Sequence, residues 1–257
     1  MPRKYCVIAN WKCNGTTAFV RDIVTNLYND LVYDYSKLDM IVLPGMLHVN
    51  LAKARLVDHV MVGAQNVSAN PDGAFTGEVS AEQLADYEIG WVLVGHNERR
   101  RHHNETQEIV NAKVKQARDA NLGLIYCVGE TLEEREAEQT VNVIEGQLNA
   151  VKEIMEEHGW ENVIIGYEPI WAMNTGRVSS ADQTQEAHEV IRSWLETNCS
   201  QHVAKETRIL YAGPITETNT DNIIKLPDVD GFLMGSMSCK PAFRSIFEMV
   251  NNHVVRE

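Results

Sequence analysis

Eight short apolar runs, each followed by a longer amphipathic stretch, organise the 257-residue chain. The runs fall at 5–10, 38–43, 60–65, 90–95, 122–128, 162–168, 207–212 and 228–234. A run such as Val163, Ile164 and Ile165 is continuously apolar, the pattern of a strand buried on both faces. In the intervening segments apolar residues recur at three- and four-residue spacing on charged backgrounds. This predicts helices, most clearly at 105–120, 138–157, 180–199 and 240–251. A β-then-α order repeated in this way calls for right-handed crossovers and a parallel sheet, either open and doubly wound or closed. Closure is favoured because no G-x-G-x-x-G follows the first run and no linker or low-complexity tract divides the units. The length is also close to the ~250 residues of a closed eightfold barrel. The expectation is an α/β chain forming one closed (β/α)8 barrel domain over residues 1–257.

Composition narrows the partners. With 44% hydrophobic and 23% charged residues, no stretch approaches the ~20 apolar residues needed to cross a bilayer, so no membrane association is expected. The opening residues enter a strand almost at once and leave no room for the apolar core of an export signal. Five cysteines without a C-x-x-C pair suit free thiols in the cytoplasm better than disulfides or a zinc site. A net charge of −13 repels polyanions, so the run Arg99-Arg100-Arg101 reads as ion-pair partners and no nucleic acid is expected to bind. A small anionic substrate would then need a focused cation.

The carboxyl ends of the strands supply one. The first run ends in Asn10-Trp11-Lys12, the fourth in Gly95-His96-Asn97-Glu98, and the sixth in Tyr167-Glu168-Pro169. In a closed barrel these ends share one rim, the face on which such folds carry chemistry. Glu168 is the candidate base, because a carboxylate ending a buried strand and followed by a small-residue loop suits a base under a lid. His96 stands where a short helix is expected to begin, whose positive end favours a neutral imidazole able to donate to a carbonyl oxygen. Lys12 is the candidate cation. Taken singly, each is more often a solvated or structural side chain; together they form a set.

At these positions the sequence resembles the triosephosphate isomerase family, and the resemblance covers essentially the whole chain. The motifs that carry it are Asn10-Trp11-Lys12-Cys13-Asn14-Gly15, Gly73-Ala74-Phe75-Thr76-Gly77-Glu78, Gly95-His96-Asn97-Glu98-Arg99-Arg100, Cys127-Val128-Gly129-Glu130, Tyr167-Glu168-Pro169-Ile170-Trp171-Ala172 and Asp230-Gly231-Phe232-Leu233, in family order. The resemblance implies cofactor- and metal-independent interconversion of the triose phosphates dihydroxyacetone phosphate and D-glyceraldehyde 3-phosphate, an intramolecular oxidoreduction of glycolysis and gluconeogenesis, in a homodimer. It implies Glu168 as base, His96 as proton donor, Lys12 and Asn10 as charge stabilisers and Glu98 as neighbour of Lys12, with Cys127 packing the site. It also implies a lid made of Pro169, Ile170, Trp171, Ala172, Met173, Asn174, Thr175, Gly176 and Arg177, hinged at Pro169 and at Thr175-Gly176-Arg177. Phosphate contacts would come from Lys12, Asn174, Gly213, Gly235 and Ser236. Cys13, Phe75 and Thr76 would meet a second subunit.

The departures from the family pattern lie mainly on the phosphate side. Tyr-Gly-Gly-Ser-Val reads here Tyr211-Ala212-Gly213-Pro214-Ile215, a lid glycine is Asn174, the second of two paired glycines is Ser236, and Asn97 stands for a serine. Pro214 has no backbone N–H, so two donors to phosphate are missing at one position. The expectation is an active isomerase with a weakened phosphate grip, or a turn already locked in a closed-like form. Three rivals remain: a catalytically impaired barrel paralogue acting as a phosphate-binding or scaffold protein, a Schiff-base aldolase using Lys12, and a metal hydrolase using His96, Glu98 and the pair His102-His103. Glu98 beside Lys12 opposes the depressed pKa that a Schiff-base lysine needs. Adjacent histidines point apart on a helix, which argues against the metal site.

Overall fold

The computed structural model describes residues 3–173 and 175–256. Eight parallel strands, β1 (Tyr5–Asn10), β2 (Leu38–Leu43), β3 (Val60–Ala64), β4 (Trp91–Val94), β5 (Gly123–Val128), β6 (Val163–Tyr167), β7 (Arg208–Tyr211) and β8 (Gly231–Met234), close into a barrel in sequence order. The closing pair is β1 with β8, in register from Cys6 opposite Gly231 to Ala9 opposite Met234. The fold is the (β/α)8 barrel that the alternation predicts.

Alternation along each strand sorts the apolar side chains into two layers. Cys6, Ile8, Ile41, Leu43, Leu93, Ile125, Cys127, Ile164, Leu210 and Leu233 fill the barrel. Their neighbours Val7, Ala9, Val42, Val92, Tyr126 and Ile165 face outward and pack under helical residues such as Val110, Leu148, Ile191 and Phe243. This phase positions the site. The inward sequence Cys6, Ile8 ends at Asn10, the last residue of β1, and Ile164, Gly166 continues to Glu168 just past β6, so both polar residues turn into the barrel mouth.

The predicted helices are present with small shifts that local chemistry explains. Helices run over Gln107–Asp119, Thr140–His158, Ala181–Asn198 and Ala242–Arg256. The first and third begin after Thr106 and Ser180 because those hydroxyls accept backbone N–H groups as caps, and Gln183 completes a capping box with Ser180. The last extends beyond the predicted end.

Candidate active site

Lys12 is fixed by its backbone. It takes a left-handed conformation (φ 54°), unusual for a residue with a side chain, and such geometry persists only where the surroundings over-determine it. Its N–H donates to Asn10 Oδ1 at 3.0 Å and its carbonyl accepts from Gln65 Nε2 at 2.9 Å. Nζ then meets Glu98 Oε1 at 2.6 Å. Burial pulls the Glu98 carboxyl upward, but the Lys12 ammonium outweighs it and holds the group below the usual glutamate range.

His96 caps the helix Asn97–His102, the helix start that the sequence places beyond it. Its Nδ1 accepts the Glu98 N–H at 3.2 Å, which leaves Nε2 as the ring nitrogen placed to donate. Nε2 faces Glu168 Oε1 at 3.2 Å. His96 and Glu168 are both buried, at 5% and 2% exposure, so this contact lies out of reach of bulk water.

Glu168 is held by the start of the same helix. The Asn97 N–H donates to Oε2 at 2.8 Å and the Asn97 carboxamide to Oε1. The helix start thus spends one of its free backbone donors on the carboxylate. Gly129 permits this placement: a β-carbon there would overlap the Glu168 carbonyl, so β5 and β6 could not end side by side. Burial first, and the Glu168 charge second, push the Cys127 thiol well above its ordinary pKa, which leaves it a neutral packing group.

The predicted lid begins with a tight turn, Ile170–Ala172, after Pro169. Its anchor is Glu130, a role that sequence reasoning did not assign although its motif was noted. Glu130 Oε1 accepts from Trp171 Nε1 at 3.0 Å, Tyr167 Oη at 3.0 Å and Arg135 at 2.9 Å, while the Arg135 guanidinium lies 4.7 Å over the Trp171 ring. The signal was available, since Glu130 is itself a carboxylate just past a buried strand. Beyond the turn, Thr175 Oγ1 donates to the Trp171 carbonyl at 3.1 Å and accepts the Arg177 N–H at 3.2 Å. Gly176 takes a positive φ of 75°, suited to a hinge. Asn174 lies outside the described residues.

A cavity of about 240 Å³ opens beside the residues expected to contact phosphate, lined by Lys12, Asn97, Met173, Gly213, Pro214 and Ser236 among others. Gly213 is needed there, because a β-carbon would overlap the Tyr211 ring and the Pro169 side chain. Ser236 opens the short helical turn Ser236–Cys239, so its N–H has no intrahelical acceptor. Gly235 lies against the Lys12 side chain. The Pro214 carbonyl accepts from Asn219 Nδ2 at 2.9 Å while the Thr216 N–H donates to Asn219 Oδ1 at 2.8 Å.

A second cavity, about 500 Å³, lies between this rim and the segment 66–79, and Cys13, Gly77, His96 and Glu98 line it. Cys13 and Thr76 are exposed, Phe75 is 42% exposed at the segment's tip, and Leu47 is 94% exposed. Of the proposed metal ligands, His102 and His103 are exposed on the helix end. Among the described residues no group of three His, Cys, Asp or Glu is placed to hold a metal ion.

Comparison with known proteins bears on this arrangement. Residues 5–251 match the family model described as triosephosphate isomerase. The triosephosphate isomerase of Paracoccidioides lutzii is 46% identical over 246 residues, covering 96% of this chain and 98% of that protein. The cytosolic triosephosphate isomerase of Oryza sativa subsp. japonica is 43% identical over 256 residues, 100% and 99% of the two chains. The glycosomal enzyme of Trypanosoma cruzi is 43% identical over 241 residues, 93% and 95% of the two. The chain belongs to the triosephosphate isomerase family.

Proposed function

We propose that the chain, acting as one barrel domain, interconverts dihydroxyacetone phosphate and D-glyceraldehyde 3-phosphate through an enediolate, without cofactor or metal. Glu168 takes a proton from the carbon beside the substrate carbonyl and returns it to the neighbouring carbon. Neutral His96 donates from Nε2 to the carbonyl oxygen and moves the proton between the two oxygens. Lys12, aided by Asn10, offsets the phosphate and the developing enediolate charge, with Glu98 fixing the ammonium. Closure of 169–177 would exclude water from the intermediate. The reading is carried by the contact between His96 Nε2 and Glu168 Oε1, 3.2 Å apart, beside a Lys12 locked onto Glu98.

Turnover of D-glyceraldehyde 3-phosphate, coupled to a dehydrogenase that consumes dihydroxyacetone phosphate, tests it. Glu168→Gln should lower kcat by about 10²- to 10⁴-fold, the usual weight of a general base. Full activity in that variant, inhibition by EDTA, or inactivation by borohydride with substrate would each overturn the assignment. The scaffold-protein alternative is disfavoured because Asn10, Lys12, His96, Glu98 and Glu168 are all retained.

The finer partners follow the same reasoning. Phe75 and Leu47 expose apolar surface beside a cavity at the catalytic rim, which favours a homodimer with Cys13, Phe75 and Thr76 at the contact. A cytoplasmic location is supported by the cytosolic relative, although a glycosomal one also exists, and no described helix is long and apolar enough to cross a membrane. On the phosphate side, Asn219 pins the Pro214 turn, which favours a preorganised turn that partly offsets the missing donors.

A further inference from the structure

Trp11, the residue before Lys12, is tied to the turn Ser236–Cys239 by one buried phenol. Its Nε1 donates to Tyr28 Oη at 3.0 Å, and Tyr28 Oη donates to the Ser238 carbonyl at 2.8 Å. Within the turn, Ser238 Oγ and the Ser238 N–H both donate to the Gly235 carbonyl, at 2.7 and 2.9 Å. Trp11, Tyr28 and Ser238 are fully buried, so water does not compete for these bonds. A phenol carries a single hydrogen; with the Trp11 indole N–H donating to its oxygen, that hydrogen goes to Ser238. Burial pushes the Tyr28 phenol above its ordinary pKa, which keeps the hydrogen in place. The ring is wedged between Trp11 and Phe243, with centres 5.6 and 5.3 Å away. Tyr28 also ends a π-helical turn, Val24–Tyr28, a winding that is rare and recurs at functional sites.

We infer that Tyr28 is a positioning residue that fixes the spacing between Lys12 and the Ser236–Cys239 turn, and with it the grip on an anion held between them. This rests on the proposed triose phosphate substrate. Lys12 and Ser236 line the same cavity, one offering an ammonium and the other a backbone N–H with no intrahelical acceptor. An anion gains from both donors only when they stand at a matched separation. Lys12 follows β1 and the turn follows β8, and those strands pair from Cys6 with Gly231 to Ala9 with Met234, short of both donors. The phenol supplies a tie beyond that last pair. Tyr28 lines neither cavity and acts through Trp11 and Ser238.

Tyr28→Phe and Trp11→Phe, singly and together, test the tie, with melting temperatures to establish that each variant is folded. The readouts are the calorimetric Kd for inorganic phosphate, kcat and KM for D-glyceraldehyde 3-phosphate, and kcat/KM for unphosphorylated D-glyceraldehyde. Each single substitution should raise the phosphate Kd, and KM for the phosphate ester with it, by about 3- to 10-fold, the weight of part of one hydrogen bond to a charged group. The ratio of kcat/KM between the phosphorylated and unphosphorylated substrates should fall by the same factor, and a loss of folded protein cancels from that ratio. The double variant should be little worse than either single one, because both substitutions cut one tie. An unchanged phosphate Kd, an unchanged ratio, or fully additive effects would overturn the positioning role. Trp11→Phe carries the test alone if Tyr28→Phe does not fold. Phosphate binding needs no turnover, so it reads the tie separately, while wild-type turnover of D-glyceraldehyde 3-phosphate reads the proposed function.

Discussion

The two ends of the barrel use the same ion-pair chemistry to opposite ends. At the amino-terminal end Lys4 and Arg208 each approach Asp39 to 2.6 Å, one cation per carboxylate oxygen, and Arg208 also lies 5.8 Å over the Trp91 ring. At the carboxyl-terminal end Lys12 approaches Glu98 to the same 2.6 Å. The difference lies in what surrounds them. The Asp39 and Arg208 side chains are 18% and 14% exposed and saturate one another, whereas Lys12 and Glu98 are 29% and 39% exposed and border both cavities. A carboxylate with both oxygens bound by cations is a plug; an ammonium held by one carboxylate at the edge of a cavity remains available to an anion.

Removing the acid at each end separates the two roles. Glu98→Gln should lower kcat/KM by about 10²-fold through misplacement of Lys12, with little change in melting temperature. Asp39→Ala should do the reverse, costing about 1 to 3 kcal/mol of stability in a denaturant titration by stranding the Arg208 guanidinium, while the more exposed Lys4 stays hydrated and kcat stays within about twofold. If both variants lost mainly stability, the contrast between the ends would be false.

A buried histidine sharpens the contrast from below the site. His188 packs edge-on against Tyr167, at 5.7 Å between ring centres, and its Nδ1 lies 3.1 Å from the Asp228 carbonyl. Burial is the main cause that depresses its pKa from 6.5 to about 4. Between those values the unfolded chain binds a proton that the folded chain refuses, so stability falls as pH drops through this window, by about 3 kcal/mol at the lower end. Above 6.5 the group contributes no pH dependence. His188→Gln should flatten that segment of a stability-against-pH curve, and an unchanged slope would assign the acid sensitivity elsewhere.

The smallest expected effect concerns the phosphate turn. Pro214→Ser restores an N–H and a hydroxyl facing the cavity, and should raise kcat/KM by about 3- to 10-fold, the weight of one hydrogen bond to a charged group reduced by water substitution. An unchanged or lower value would mean that the turn pinned by Asn219 already compensates.

Much of the rim was legible in the sequence because strand phase continues into it. The alternation that buries Ile164 and Gly166 carries forward to Glu168, and that of Ile8 to Asn10. His96 was readable as a helix cap because a strand ended just before it. The rest depended on contacts between strands. Glu130 meets Trp171 only because β5 and β6 end in register, with Val128 opposite Tyr167, a pairing no local pattern reveals. The Asn97 grip on Glu168 joins residues 71 apart. The left-handed backbone of Lys12 was hidden too, since glycine or asparagine would be the usual sign of that geometry.

The central claim is that one carboxylate at this rim moves a proton through the substrate's carbon skeleton. Turnover of D-glyceraldehyde 3-phosphate in D₂O, with the product followed by proton NMR, tests it most directly. The account predicts two products, one keeping the substrate's hydrogen returned directly by Glu168 and one carrying deuterium from molecules whose Glu168 carboxyl exchanged with solvent first, with both and total turnover falling together in Glu168→Gln. Turnover and label left undiminished in that variant would contradict it.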